Sequence, residues 1–273
     1  MYLPVQVGDL IGYYDTNGIQ VMKPSFTEGK LFTEGMAPVD VGSNNPNYKY
    51  MYIGLGPTVK IKLPYKDAQP FSRGKARVYN GTGWNYIDTS GMLLIFENFE
   101  EASDFIDGFA LVKKSGLYGF IGEDGRFVVK PEYSQCSEMR YGVFAAYNPM
   151  NKKFTYLNIE KDTLIKEAFE GATHFCDSLA AVKRKGKWGF INLKGETVIP
   201  FKFDEARSFS NGLAAVKTDN VWFFIDNNGL EQYSTRYRSI LFDFREGVAL
   251  VELTNGNKVY LTKGGKTIPF RID

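Results

Sequence analysis

Residues 183–200 read KRKGKWGFINLKGETVIP. Trp188 and Gly189 stand among β-forming residues, with a glycine-bearing turn on either side. The stretch is not unique in the chain. GFALVKKSGLYGFIGEDGRFVVKPEYSQC starts at Gly108, SLAAVKRKGKWGFINLKGETVIPFKFDEA at Ser178, GLAAVKTDNVWFFIDNNG at Gly212 and GKARVYNGTGWNYIDTSGMLLIFENFEEA at Gly74. Weaker copies begin at Gly35, Gly142 and Gly247, and IGYYDTNGIQVMKP places the first at about residue 1. The starts at 1, 35, 74, 108, 142, 178, 212 and 247 define eight copies of about 34 residues that use up the chain. A fixed period of this length is the mark of stacked supersecondary units. The sequence is therefore expected to form one array over residues 1–273, with no internal domain boundary.

Each copy reads as three short strands and a connector. Strand A is a G-x-A-x-V segment, seen as Ala37/Val39, Ala76/Val78, Ala110/Val112, Ala180/Val182, Ala214/Val216 and Ala249/Val251. Its alternate positions are often apolar too, as expected of a strand buried on both faces. Strand B begins at Trp84, Tyr118, Trp188 or Trp222. A tight turn with Gly81, Gly116, Gly186 or Gly256 joins A to B. The B–C turn is Asp or Asn followed three residues later by Gly, as in Asp15 to Gly18 and Asn192 to Gly195. An Asx side chain closing onto a glycine at positive φ is hairpin chemistry. Strand C runs into Pro24, Pro64, Pro131, Pro200 or Pro269, and a residue without an N–H belongs at a sheet edge. The connector carries aromatic, small and aromatic residues three apart, as in Phe203, Ala206 and Phe209.

A lone three-stranded meander is not stable, so neighbouring copies must stack. The fold class is all-β: short three-stranded antiparallel repeats forming a propeller-like toroid, with an open β-superhelix as the alternative. KWGFI, the D/N-x-x-G turn, V-I-P and G-L-A-x-V together resemble the bacterial WG-repeat, or KWG-repeat, family. The likeness spans essentially the whole chain and is most specific over residues 178–212, although only Trp188-Gly189 is a literal WG. Trp84-Asn85, Tyr118-Gly119, Trp222-Phe223 and Ile11-Gly12 stand in its place elsewhere. The resemblance implies an all-β repeat scaffold and carries no catalytic signature.

Lys and Arg total 33 against 31 Asp and Glu, a net charge of +2 that gives no electrostatic reason to expect nucleic acid as partner. No apolar run is long enough for a helical membrane span. The opening MYLPVQVGDLIGYYD lacks the regions of a signal peptide, so the expectation is a cytoplasmic protein, or an exported one whose leader was removed.

Chemistry would have to break the repeat symmetry. His174 lies two residues before Cys176, the proximity a thiol–imidazole pair needs. Both sit in a connector opposite Ser208 and Ser210 of the next copy, and that reads as variable surface. Cys136 aligns with the small connector position of Ala102 and Ala206 and reads as packing. Asp15, Asp88 and Asp226 share one repeat position whose job is the turn, and each turn supplies too few oxygens for calcium. No phosphate-gripping motif or triad appears, so no catalytic residue, metal or cofactor is assigned and the protein is not read as an enzyme.

Binding residues are sought on the A–B turns. These carry Lys113, Lys114, Lys183, Arg184 and Lys185, while the B–C turns are acidic, so the two strand ends form basic and acidic rims. Two A–B turns are lengthened, VGSNNPNYKYMY over residues 41–52 and YNPMNKK over residues 147–153. Loops on a rigid scaffold are the usual place for recognition. Asn44, Asn45, Asn47, Tyr48, Tyr50, Asn148, Lys152 and Lys153 join the basic turn residues as candidate contacts to a partner protein. A glycan- or cell-wall-binding module using the repeated Trp and Tyr is the alternative, against which the regular phase of these rings argues for packing between sheets.

Overall fold

The computed structural model describes residues 1–40, 42, 49–56, 58–95 and 97–272. All regular structure among them is β, without a helix. Eight A strands begin at Tyr2, Met36, Lys75, Phe109, Val143, Leu179, Leu213 and Val248, each one residue after an expected copy start. The reason lies in the turn before each strand. Asn211 (φ 54°) and Gly212 (φ 80°) are both left-handed, and Ser210 and Leu213 exchange backbone hydrogen bonds of 2.8 and 3.2 Å across them. This is the two-residue hairpin turn that suits strand twist, and the starting glycine occupies its second corner.

That turn also changes the reading of the connector. Glu205 and Ala206 pair antiparallel with Lys217 and Val216 of the following A strand, and Gly171 and Ala172 pair likewise with Lys183 and Val182. The connector is thus a short strand in its own right, and the sixth copy's sheet runs connector, A, B, C in four-stranded order. Strand C lies at the edge of that sheet, as the prolines require. In the strand Tyr237–Arg245 the two parts merge, since Tyr237 pairs with Trp222 of the seventh copy and Ile240 with Val251 of the eighth.

The chain divides into two compact units, residues 1–131 with 268–273, and residues 132–267. In the first, Arg271 and Ile272 pair parallel with Gln6 and Val7 and fill the connector's place beside the first A strand. In the second, each core cluster spans two successive copies. Phe190, Ile199, Phe203 and Phe209 of one sheet meet Ala214, Val216 and Phe223 of the next. Burial of strand A on both faces follows, as Leu179–Val182 and Leu213–Val216 are buried throughout.

Within strand B a large aromatic follows the WG position and is fully buried: Tyr13, Tyr52, Tyr86, Tyr156 and Phe190 are all at most 1% exposed. In Tyr13, Tyr52, Tyr86 and Tyr156 the hydroxyl donates to a connector carbonyl 17 residues on: Lys30, Gln69, Ser103 and Thr173, at 2.7–2.9 Å. A buried hydroxyl needs that partner, and Phe copies dispense with it.

Candidate partner-binding site

The charged turns come first. On the B–C side, Asp15 Oδ1 accepts the Asn17 and Ile19 amides at 2.8 Å each, and Asp226 Oδ1 accepts those of Asn228 and Leu230. These bonds hold the Asp15 carboxyl below the usual carboxylate range. On the A–B side a connector carboxylate reaches forward to the turn of the next copy. Glu170 accepts the Lys185 and Gly186 amides at 2.9 Å each, Glu100 the Gly116 amide and Asp204 the Asp219 amide.

The basic side chains find carboxylates too. Lys113 pairs with Glu101 at 2.7 Å beneath Tyr118, and Lys114 pairs with Glu97. Arg184 pairs with Glu167 at 2.5 Å and lies 4.2 Å from the Phe201 ring centroid. Lys183 is half-buried, and Lys185 is exposed at φ 50°. Much of the basic rim is therefore neutralised by acids of the preceding copy.

Of the lengthened turns, Asn44, Asn45, Asn47 and Tyr48 lie outside the described residues. Tyr50 is not a loop residue: it begins the strand Tyr50–Gly54, is 6% exposed, and bonds the Glu28 carboxylate. Asn148, Lys152 and Lys153 are exposed, the Asn148 side chain accepting the Met150 amide at 2.9 Å. Met150 projects at 93% exposure beside them, a residue the sequence reading passed over.

The repeated aromatics are not a free platform. Trp222 is 7% exposed, with Arg207 5.3 Å from its ring. Trp188 is half-buried against Gly171, where a Cβ would stand 2.8 Å from its ring. The glycine of the motif has a different purpose. A Cβ on Gly189 would stand 2.8 Å from the Ile199 carbonyl oxygen and 2.9 Å from the Phe201 nitrogen, and Gly12 and Gly119 face the same backbone atoms of their own C strands. Strand C bulges here, with Trp188 opposite Phe203 and Phe190 opposite Ile199. Glycine lets the bulge close onto strand B.

Copies with Met51 or Thr155 in place of the glycine keep the same register. Asn85 uses its own side-chain oxygen to accept the Tyr86 amide at 2.7 Å. At Thr155 and Phe223 there are recesses. One, of about 410 Å³, is lined by Glu132, Tyr133, Asn148, Pro149, Thr155, Leu157 and Thr163, among others. The second, of about 380 Å³, is lined by Lys202, Phe203, Thr218, Asp219, Phe223, Ile225 and Glu231, together with Val221, Gly229 and Arg236. Residue for residue these are the same place two copies apart: Glu132 matches Lys202, Thr155 matches Phe223, and Asn148 matches Thr218. Both lie within the unit of residues 132–267. Recognising them from sequence would have required combining positions from successive copies.

His174 is half-buried. Its side chain is 25% exposed, with Nδ1 3.8 Å from Glu138 Oε2. Burial, then the charge of Arg140, push its pKa down to about 4. Burial raises the Cys176 thiol, and no hydrogen bond joins the two among the described residues. Cys136 is pushed up to about 12 by burial alone.

The model of the WG containing repeat matches residues 11–44, 84–118, 118–154 and 188–222. The chain belongs to that family. Its WG repeats are also similar in fold to solved structures of low identity. Kluyveromyces lactis Hsv2 matches at a TM-score of 0.51 and 9% identity, over 86% of this chain and 92% of that one. Apo AztD from Citrobacter koseri matches at 0.51 and 10%, over 98% and 94%. PorZ of Porphyromonas gingivalis, a surface component of the type-IX secretion system, matches at 0.51 and 10%, over 90% of this chain but 38% of that one. The WG repeats therefore build a propeller-like fold. Among curated proteins none matches significantly.

Proposed function

We propose that this WG-repeat protein is a non-catalytic scaffold that binds another protein at the A–B turn edge of residues 132–267. The observation that carries the reading is the pair of equivalent recesses, one beside the lengthened turn at Asn148. The regular part of the repeat spends its charges on the turns and side chains of the adjacent copy, so recognition is left to positions where copies differ. Half-buried Trp84 and buried Trp222, each beside an arginine, favour a protein partner over stacked sugars.

The test is affinity capture from the native organism with mass spectrometry. The protein is compared with a variant lacking residues 149–152 and carrying Phe223→Ala, its fold checked by circular dichroism. A partner held by the parent and lost from the variant is expected. Retention of every partner by the folded variant would sink the placement. Tryptophan emission that shifts on titration with a glycan would turn the reading towards sugars.

A further inference from the structure

An asparagine side chain is most easily attacked by its own backbone where glycine follows, since glycine puts no Cβ beside the attacking nitrogen. The chain holds five Asn-Gly pairs, at Asn17, Asn80, Asn211, Asn228 and Asn255. In four of them the glycine amide is engaged. Gly18 donates to the Asp15 carbonyl at 3.0 Å, Gly229 to the Asp226 carbonyl and Gly256 to the Leu253 carbonyl at 2.9 Å each, and Gly212 to Asp177 Oδ2 at 2.7 Å. Gly81 is the exception: its N–H has no hydrogen bond among the described residues.

The carbonyl beside that free amide is the most heavily bonded of the five. Asn80 Oδ1 accepts the Thr82 hydroxyl at 2.8 Å, the Thr82 amide at 2.9 Å and the Gly83 amide at 3.1 Å. Asn211 Oδ1 accepts only the Gly247 amide and Asn255 Oδ1 only that of Asn257. Asn98 braces the arrangement, its Nδ2 donating to Thr82 Oγ1 at 3.0 Å and its Oδ1 accepting Asn80 Nδ2 at 3.3 Å. Asn80 and Lys66 are both exposed, and a Cβ on Gly81 would stand 3.0 Å from Lys66 Nζ. Nucleophile, polarised carbonyl, cation and water thus meet at one A–B turn of the third copy.

We infer that Asn80 is a self-modification site, at which the Gly81 nitrogen attacks the Asn80 side-chain carbonyl and water completes conversion of the amide to aspartate and isoaspartate. Water takes the Gly81 amide proton as the nitrogen bonds to Asn80 Cγ. The carbonyl electron pair moves onto Oδ1, where the three donors hold the oxyanion. The Cγ–Nδ2 bond then breaks, and the nitrogen leaves as ammonia with a proton returned by water. A water molecule opens the resulting cyclic imide at either carbonyl, so the sum is amide and water giving acid and ammonia. The Lys66 ammonium favours the anionic nitrogen and afterwards the new carboxylate. Isoaspartate lengthens the backbone of the turn by one carbon, and both products leave a negative charge there. None of this depends on the scaffold reading.

The test is a time course on the purified protein at mildly alkaline pH, read by mass spectrometry and chromatography of its peptides. Asn80 is expected to convert about tenfold or more faster than the other four asparagines, giving both aspartyl and isoaspartyl peptides. In urea, where the turns are lost, the rates should draw together. Thr82→Val, at an exposed position, removes one donor and should slow Asn80 by about tenfold, and Thr82→Ser should restore it. Lys66→Met should slow it by about threefold at low salt. An Asn80 rate no faster than the others in the folded protein, a contrast that survives urea, or aspartate without isoaspartate overturns the inference, and none of these needs a variant. An unchanged or faster rate in Thr82→Val overturns it too, because the hydrogen bonds would then shield the amide rather than activate it.

Discussion

The sixth and seventh copies share a tryptophan, an Asx turn and a strand A buried on both faces, and among their differences is the residue after the tryptophan. Gly189 admits the bulge of strand C, and Phe190 pairs with Ile199. Phe223 stands at that position in the seventh copy, where the same offset is kept by only Trp222 opposite Tyr237 and a single bridge at Ile225 and Glu231. A closed sheet edge in one copy becomes a recess in the next. The difference teaches that the residue after the tryptophan sets how closely strand C can approach strand B, since the register itself is kept with Met51 or Thr155 there, while the tryptophan covers the connector.

The sharpest break of this comparison is Gly189→Val. Its side chain would enter a site whose backbone cannot retreat cheaply, so a loss of about 3 kcal/mol is expected in urea unfolding. Phe223→Leu, at the same repeat position, should cost only about 1 kcal/mol. Equal losses would show that the glycine is incidental.

The connectors leading into the two copies give the next test, because one carries His174 where the other carries Ser208. The folded state holds the imidazole neutral to about pH 4, whereas an unfolded chain protonates near 6.5. The unfolded state therefore binds more protons between these values, and stability falls as pH drops through the window, by up to about 3 kcal/mol. His174→Asn should flatten that acid limb in unfolding curves at pH 7 and pH 4.5, and an unchanged slope would break the assignment.

Smaller is the effect of the buried hydroxyl. Tyr156→Phe removes the 2.7 Å bond to the Thr173 carbonyl and makes the fifth copy resemble the sixth and seventh, at a cost of about 1 kcal/mol. Smallest is Lys217→Met, which breaks an edge ion pair of 2.8 Å with Glu205 and should move stability by less than about 0.5 kcal/mol.

The repeat phase was legible in the sequence because a hairpin corner demands glycine at a fixed place, and Gly35, Gly74, Gly108, Gly142, Gly212 and Gly247 all take positive φ there. The connector's strand was not, since only two residues such as Glu205 and Ala206 pair within it and two residues leave no period to read. The turn lysines suggested a rim, but their carboxylates arrive from 12 to 17 positions away in the chain and become visible only once strands are placed. His174 was misjudged for the same reason: its burial comes from a connector one copy earlier, with Glu138 and Arg140. The recesses combine positions from successive copies, so no single copy displays them.

The ribbon Tyr237–Arg245 joins the strands of the seventh and eighth copies in one seven-stranded sheet, so the repeating length of chain and the sheet it helps build are out of phase. A gene that gains or loses one period of about 34 codons can therefore be cut at any point in the period. Each sheet still receives a full set of strands, since the piece missing from one end of the insert is supplied by the other. Arrays of this kind can change length by recombination without a privileged junction, and a newly inserted copy starts life with both of its neighbours already fitted.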